Sequence, residues 1–143
     1  MTKNTAPIAR RADRIRPTGE SVAWVAMAAV TVYHNPRCSK SRQALEAAED
    51  LGASVDVVRY LDDPPDGATL RAIIAKLEDP VTDLVRQECW DELGVSADDV
   101  ATADGVVDVL VRHPQLLQRP LLVSADRAVI GRPTERAREL LSG

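Results

Sequence analysis

The chain has 143 residues, with 45% apolar and 28% charged content and a formal net charge of −4. That suits one domain with its own core, argues against a general nucleic-acid binder, and leaves no apolar run of the roughly 18 residues a membrane helix needs. Two cysteines, Cys38 and Cys89, and two histidines, His34 and His113, exclude a disulfide framework and a Cys- or His-rich metal site, and they suit a reducing cytoplasm.

Residues 1 to about 20 carry Lys3, Arg10, Arg11, Arg14 and Arg16 with little apolar content, and residues 1–27 are expected to be a disordered basic extension. Followed by the alanine-rich stretch 21–30 and Ala26-Met27-Ala28, it resembles a secretory signal. The rival expectation is that Met27 is the native start and the folded domain spans 28–143. Cleavage near Ala28 would send a lone reactive thiol into an oxidising compartment without a partner. Residues 28–33, ending Val30-Thr31-Val32-Tyr33, read as a first strand. Asn35 and Pro36 then supply a turn. A helix follows, with Ala44, Ala47, Ala48 and Leu51 on one face and Gly52 past its end. Val55, Val57 and Val58 mark a second strand over 54–61, and Asp62-Asp63-Pro64-Pro65-Asp66-Gly67 is a loop.

The spacing of Leu70, Ile73, Ile74 and Leu77 predicts a helix over 69–78. Pro80 is placed to open another, carrying Val81, Leu84 and Val85 inward with Arg86 at its end. Residues 93–99 are a link of weak helical character. Asp104 is expected to cap a helix over 105–112, which His113-Pro114 ends. Residues 121–123 and 128–130 read as a hairpin around the polar turn 124–127, and Pro133 opens a last helix over 134–141. Two strands flanking a helix should be parallel, and the final pair antiparallel. The expected fold is α/β: a mixed four-stranded sheet with flanking helices and an all-helical insertion before the last hairpin. A thioredoxin-like arrangement fits this order.

Cys38 falls where the first strand gives way to the first helix. A helix N-terminus offers unpaired N–H donors and the positive end of the dipole, which favour a thiolate and attract oxyanions. Arg37, Lys40 and Arg42 add positive charge nearby, and the Ser41 hydroxyl is placed to donate to the sulfur. Cys38 is thus a candidate nucleophile beside an anion site. A cysteine phosphatase loop closes with an arginine six residues after its cysteine, but position 44 is Ala44. The anion must be met by arginines from elsewhere, and Arg86, Arg119 and Arg132 stand at element termini. Arg127 and Arg138 read as surface charges.

The landmarks Tyr33-His34-Asn35-Pro36-x-Cys38, the 61–65 loop, Leu84-Val85-Arg86, His113-Pro114, Gln118-Arg119-Pro120 and Gly131-Arg132-Pro133-Thr134-Glu135 occur in this order. From about Val30 onward the chain resembles the glutaredoxin-coupled arsenate reductase family of the thioredoxin-like superfamily. Ser39-Lys40 stands where the best-known pattern has Gly-Thr, which places it in a Cys-Ser-Lys-Ser-Arg branch. The resemblance implies that Cys38 is the redox-active nucleophile, that Arg86, Arg119 and Arg132 hold arsenate or a similar oxyanion, and that His34 and Ser41 help keep Cys38 ionised. It implies that Pro120 is a cis-proline facing the cysteine.

The activity implied is a cytoplasmic oxidoreductase of arsenic detoxification. It would bind no cofactor or metal, use a low-molecular-weight thiol such as glutathione as co-substrate, and be regenerated by a glutaredoxin-like protein. No nucleic acid or membrane is expected as partner. Two other readings remain: a monothiol oxidoreductase acting on mixed disulfides, and a non-enzymatic redox-related regulator that binds a protein. Cys89 either lies one helical turn from Arg86, near enough to resolve an adduct on Cys38, or is a small apolar residue packed beside Val85 and Trp90.

Overall fold

The computed structural model describes residues 30–142, so the expectations for the basic extension, residues 1–27, lie outside it. Four strands, β1 (Val30–His34), β2 (Val55–Arg59), β3 (Leu121–Val123) and β4 (Ala128–Ile130), form one sheet in the order β2-β1-β3-β4. β1 pairs with β2 in parallel, Val32 beside Val57, and with β3 antiparallel, Val32 opposite Leu122. β3 and β4 are the expected antiparallel hairpin, Leu122 opposite Val129.

Helix α1 (Ser39–Leu51) joins the parallel pair. It ends at Gly52, whose φ of 66° is the left-handed value that lets its N–H reach back to the Ala48 and Glu49 carbonyls. Alternation along the strands divides the core in two. Val32, Leu122 and Val129 pack with Ala44 of α1 and with Ala137 and Leu140 of α5 (Thr134–Ser142). Tyr33, Leu121 and Ile130 pack on the other side, against the insertion. Helices α2 (Gly67–Ala75), α3 (Trp90–Leu93) and α4 (Ala103–Arg112), with 3-10 turns at Val81–Leu84, Ala97–Val100 and Pro114–Leu116, build that layer. Leu70, Leu84, Val106, Val109 and Leu116 are buried there. Each is worth roughly 1.5–3 kcal/mol relative to exposure, so the insertion is an integral layer of the core.

Several boundaries depart from expectation, among them β2, which ends at Arg59, and α2, which ends at Ala75; three have a visible cause. α2 starts at Gly67 because the Asp66 carboxylate caps it, accepting from Thr69 N at 2.8 Å. Pro80 opens only a 3-10 turn, because Val85 becomes extended and bridges to Leu117. The cap of α4 is Thr102 and not Asp104: Thr102 Oγ1 accepts from Gly105 N at 3.1 Å, while Asp104 pairs with Arg71 of α2.

The insertion and α5 together cover the outer side of β4. Ala128 N donates to Lys76 O at 3.1 Å and Ala128 O accepts from Glu78 N at 2.9 Å. Ile130 N donates to Asp79 Oδ2 at 2.9 Å, and Ile130 O accepts from Arg136 Nη1 at 3.1 Å. Among the described residues no helix is long and apolar enough to cross a membrane.

Candidate active site

Cys38 is the N-cap of α1. Its φ and ψ of −97° and 122° are extended, its N–H donates to Asn35 O at 3.0 Å, and its carbonyl accepts the first helical bond from Arg42 N at 3.0 Å. No side chain caps the helix, so the sulfur stands over the first-turn amides where a capping oxygen would sit. The residue is 8% exposed. Burial pushes the thiol pKa up, but the backbone N–H of Ser41, then the Arg119 guanidinium, then the backbone N–H of Lys40 pull it down, and the result lies below the ordinary thiol value. Arg132 Nη2 donates to Sγ at 3.4 Å. A helix N-terminus and two guanidiniums from another part of the chain therefore meet at one sulfur.

Ser41 contributes differently from expectation. Its hydroxyl lies 2.7 Å from His34 Nδ1 and accepts from Asn35 N at 3.0 Å, so it is committed to the turn, and the Ser41 group that serves the sulfur is the backbone N–H. Burial first, then the charges of Arg59 and Arg42, hold His34 below the ordinary histidine value, so it is neutral at neutral pH. His34 meets Cys38 only through Ser41. Asn35 is buried as well: its Oδ1 accepts from Arg37 N at 2.9 Å and its Nδ2 donates to Tyr60 Oη at 3.5 Å. Sequence reasoning had given Asn35 only a turn-forming part and had passed over Tyr60.

Two of the three arginines flank the hairpin. Arg119 precedes β3 and Arg132 follows β4, and both the Arg119–Pro120 and Arg132–Pro133 peptides are cis. One backbone bond extends the β3–β4 ladder, Gly131 N donating to Pro120 O at 2.9 Å, and the Arg132 side chain adds a second tie, its Nε donating to Arg119 O at 2.7 Å. Close packing favours Gly131, since a Cβ there would come within 2.8 Å of Leu122 Cδ1 and 3.0 Å of Pro120 Cγ and would force a shift. Arg86 arrives from the insertion. Its N–H donates to Leu116 O at 2.7 Å, and its Nη1 to Gln118 Oε1 at 3.0 Å. Gln118 Oε1 also accepts from Arg119 N at 3.3 Å, which ties the Arg86 side chain to the backbone of Arg119.

Burial alone would lower the Arg119 pKa, but Cys38, Tyr60 and Glu88 raise it above its ordinary value, so it stays charged. Arg86 Nε and Arg119 Nε are buried without an acceptor. A groove of about 590 Å³ is lined by Arg86, Gln118 and Arg132 together with Trp90, Asp79 and Arg136, while Cys38 and Arg119 do not line it. Such donors suit a tetrahedral oxyanion held beside a nucleophilic sulfur.

Cys89 matches neither expectation. Arg86 and Cys89 do not share a helix, and Cys89 is exposed, with a left-handed φ of 59° at the N-cap of α3. Both cysteines are free thiols. Arg127 is no isolated surface charge either, since its Nε and Nη2 donate to Glu78 at 2.6 and 2.9 Å. Among the described residues no three His, Cys, Asp or Glu side chains gather to hold a metal ion.

The ArsC family matches residues 33–140. The arsenate reductase of Neisseria meningitidis serogroup B is 36% identical over 118 residues, covering 80% of this chain and 100% of that protein. The uncharacterized protein YfgD of Escherichia coli strain K12 is 38% identical over 115 residues, 78% of this chain and 96% of that one. Among solved structures, an arsenate reductase from Vibrio cholerae has a TM-score of 0.69 at 34% identity, covering 80% of this chain and 98% of that chain.

Proposed function

Because the chain belongs to the ArsC family, we propose that it reduces arsenate to arsenite with Cys38 as nucleophile. The observation that carries this reading is the convergence on one sulfur of the α1 amides, Arg119 and Arg132, the last at 3.4 Å. The Cys38 thiolate attacks arsenic, an S–As bond forms, and one arsenate hydroxyl takes up a proton from solvent and leaves as water. Arg86, Arg119 and Arg132 hold the remaining oxygens and stabilise the charge as it develops. The neutral His34 and Ser41 keep the turn that aims the first-turn amides at the sulfur.

A small external thiol, glutathione or an equivalent, then attacks the Cys38 sulfur. A disulfide forms, the S–As bond breaks, and its electron pair reduces arsenic from the +5 to the +3 state. Arsenite leaves with protons from the thiol and from solvent. A glutaredoxin-like protein returns Cys38 to the thiol by disulfide exchange. A reducing cytoplasm suits this cycle, because Cys38 and Cys89 are free and Cys89 is exposed on a separate segment.

The test is arsenite formation by the purified chain with arsenate, glutathione and glutaredoxin. Cys38→Ser abolishes turnover with the fold intact. Ala at Arg86, Arg119 or Arg132 each costs roughly 2–4 kcal/mol of transition-state stabilisation, as for loss of one oxyanion donor. Arg138 pairs with exposed Asp50 at 3.1 Å, away from the site, and Arg138→Ala leaves turnover near that of the parent protein. Reduction of a glutathionylated peptide without reduction of arsenate would make the protein a mixed-disulfide reductase instead.

A further inference from the structure

Besides Gln118, Arg86 has an acidic partner. Its Nη2 donates to a carboxylate oxygen of Glu88, two residues along the chain. The two side chains differ in freedom: that of Arg86 is 15% exposed and is held by Gln118 at 3.0 Å, whereas that of Glu88 is 58% exposed. The segment between them is closed on itself. Trp90 Nε1 donates to Arg86 O at 2.7 Å, and Cys89 takes a φ of 59°, which an L side chain seldom adopts. The loop so formed turns the Glu88 carboxylate back onto the arginine. The ionisation of Glu88 reflects the same neighbourhood: the Arg86 hydrogen bond lowers its pKa most, and the charges of Arg119 and Arg132 lower it further.

We propose that Glu88 is an internal competitor for the arginine cradle, its carboxylate engaging Arg86 until a tetrahedral oxyanion displaces it, so that Glu88 sets the affinity of the site. The proposal rests on the reading that Arg86, Arg119 and Arg132 hold that oxyanion. One carboxylate engages one guanidinium directly, whereas a dianion meets three, so the exchange favours the incoming ion. Release of Glu88 into solvent disturbs no core residue, because its side chain is already largely exposed. An ion pair with one largely exposed partner is weak, so the competition lowers oxyanion affinity by roughly twofold to fivefold.

Sulfate, a tetrahedral dianion that thiols do not reduce, is the probe. The reading is the sulfate concentration that halves the rate of Cys38 alkylation by iodoacetamide at constant ionic strength, followed on the Cys38 peptide by mass spectrometry. In Glu88→Gln that concentration falls by roughly twofold to fivefold. The KM for arsenate falls by a similar factor. In Arg86→Ala the half-protecting sulfate concentration rises. If Arg86→Ala weakens protection but Glu88→Gln leaves it unchanged or weakens it too, the cradle stands and Glu88 holds Arg86 in place, which overturns the proposal. If Arg86→Ala has no effect on protection, the cradle reading itself fails.

Discussion

Cys38 is pulled in two directions. Burial disfavours its charged form, while the Ser41 and Lys40 amides and the Arg119 guanidinium favour it, and the second group wins. A folded-state pKa below the unfolded one means that the thiolate adds stability. That stability is complete above the unfolded thiol's pKa and is lost as pH falls through the lower, folded value. Alkylation should follow the same thiolate population. We expect Cys38 to react with iodoacetamide at pH 6 much faster than a small unperturbed thiol, with a midpoint clearly below about 8.5. A midpoint at or above that value would sink the activated-thiolate argument. The place of Cys38 at the helix N-terminus was legible because strand, turn and helix are all local signals. The part played by Ser41 was not. One helical turn brings both its hydroxyl and its N–H toward the sulfur, and His34 and the Asn35 amide together decide which remains available. Glu88 was invisible too, because its direction depends on the left-handed conformation of Cys89.

At the scale of elements, the hairpin β3–β4 positions the chemistry. Its two ends deliver Arg119 and Arg132 side by side, and Gly131 is what lets them close. Gly131→Ala must push against Leu122 and Pro120, an overpacking that costs about 1–3 kcal/mol. Chemical denaturation should show that loss, and the variant should also alkylate Cys38 more slowly at pH 6, since Arg132 is displaced from the sulfur. A stability loss with unchanged thiol reactivity would mean that the arginine finds its place without the ladder. The parallel first pair and the hairpin could be read from the sequence because alternation and turn residues are short-range, whereas the pairing of β1 with β3 could not. The segment after Pro80 could not. Its apolar residues have helical spacing, but a pairing between Val85 and Leu117, far apart in sequence, overrides it. The same holds at α4, where Thr102 and Asp104 are both good caps and the distant Arg71 engages Asp104.

For the molecule as a whole, the family match spans residues 33–140 and β1 begins at Val30. A chain starting at Met27 should therefore fold with the melting temperature of the full chain and keep its reactivity at Cys38. An insoluble product would show that the basic segment is part of the folded body. The layered plan was legible because each layer has its own period, two along the strands and about 3.6 along the helices. How the insertion and α5 cover β4 was not, since it rests on single contacts from Lys76, Glu78, Asp79 and Arg136. That cover bears on how the molecule behaves in a crowd. A bare strand at the rim of a sheet is a template onto which another chain can add its own strand. Here the outward N–H and C=O groups of Ala128 and Ile130 are already engaged. A foreign strand arriving at that rim would have to displace an existing partner for each backbone bond it makes to Ala128 or Ile130, so on this side the fold resists growing into a fibre.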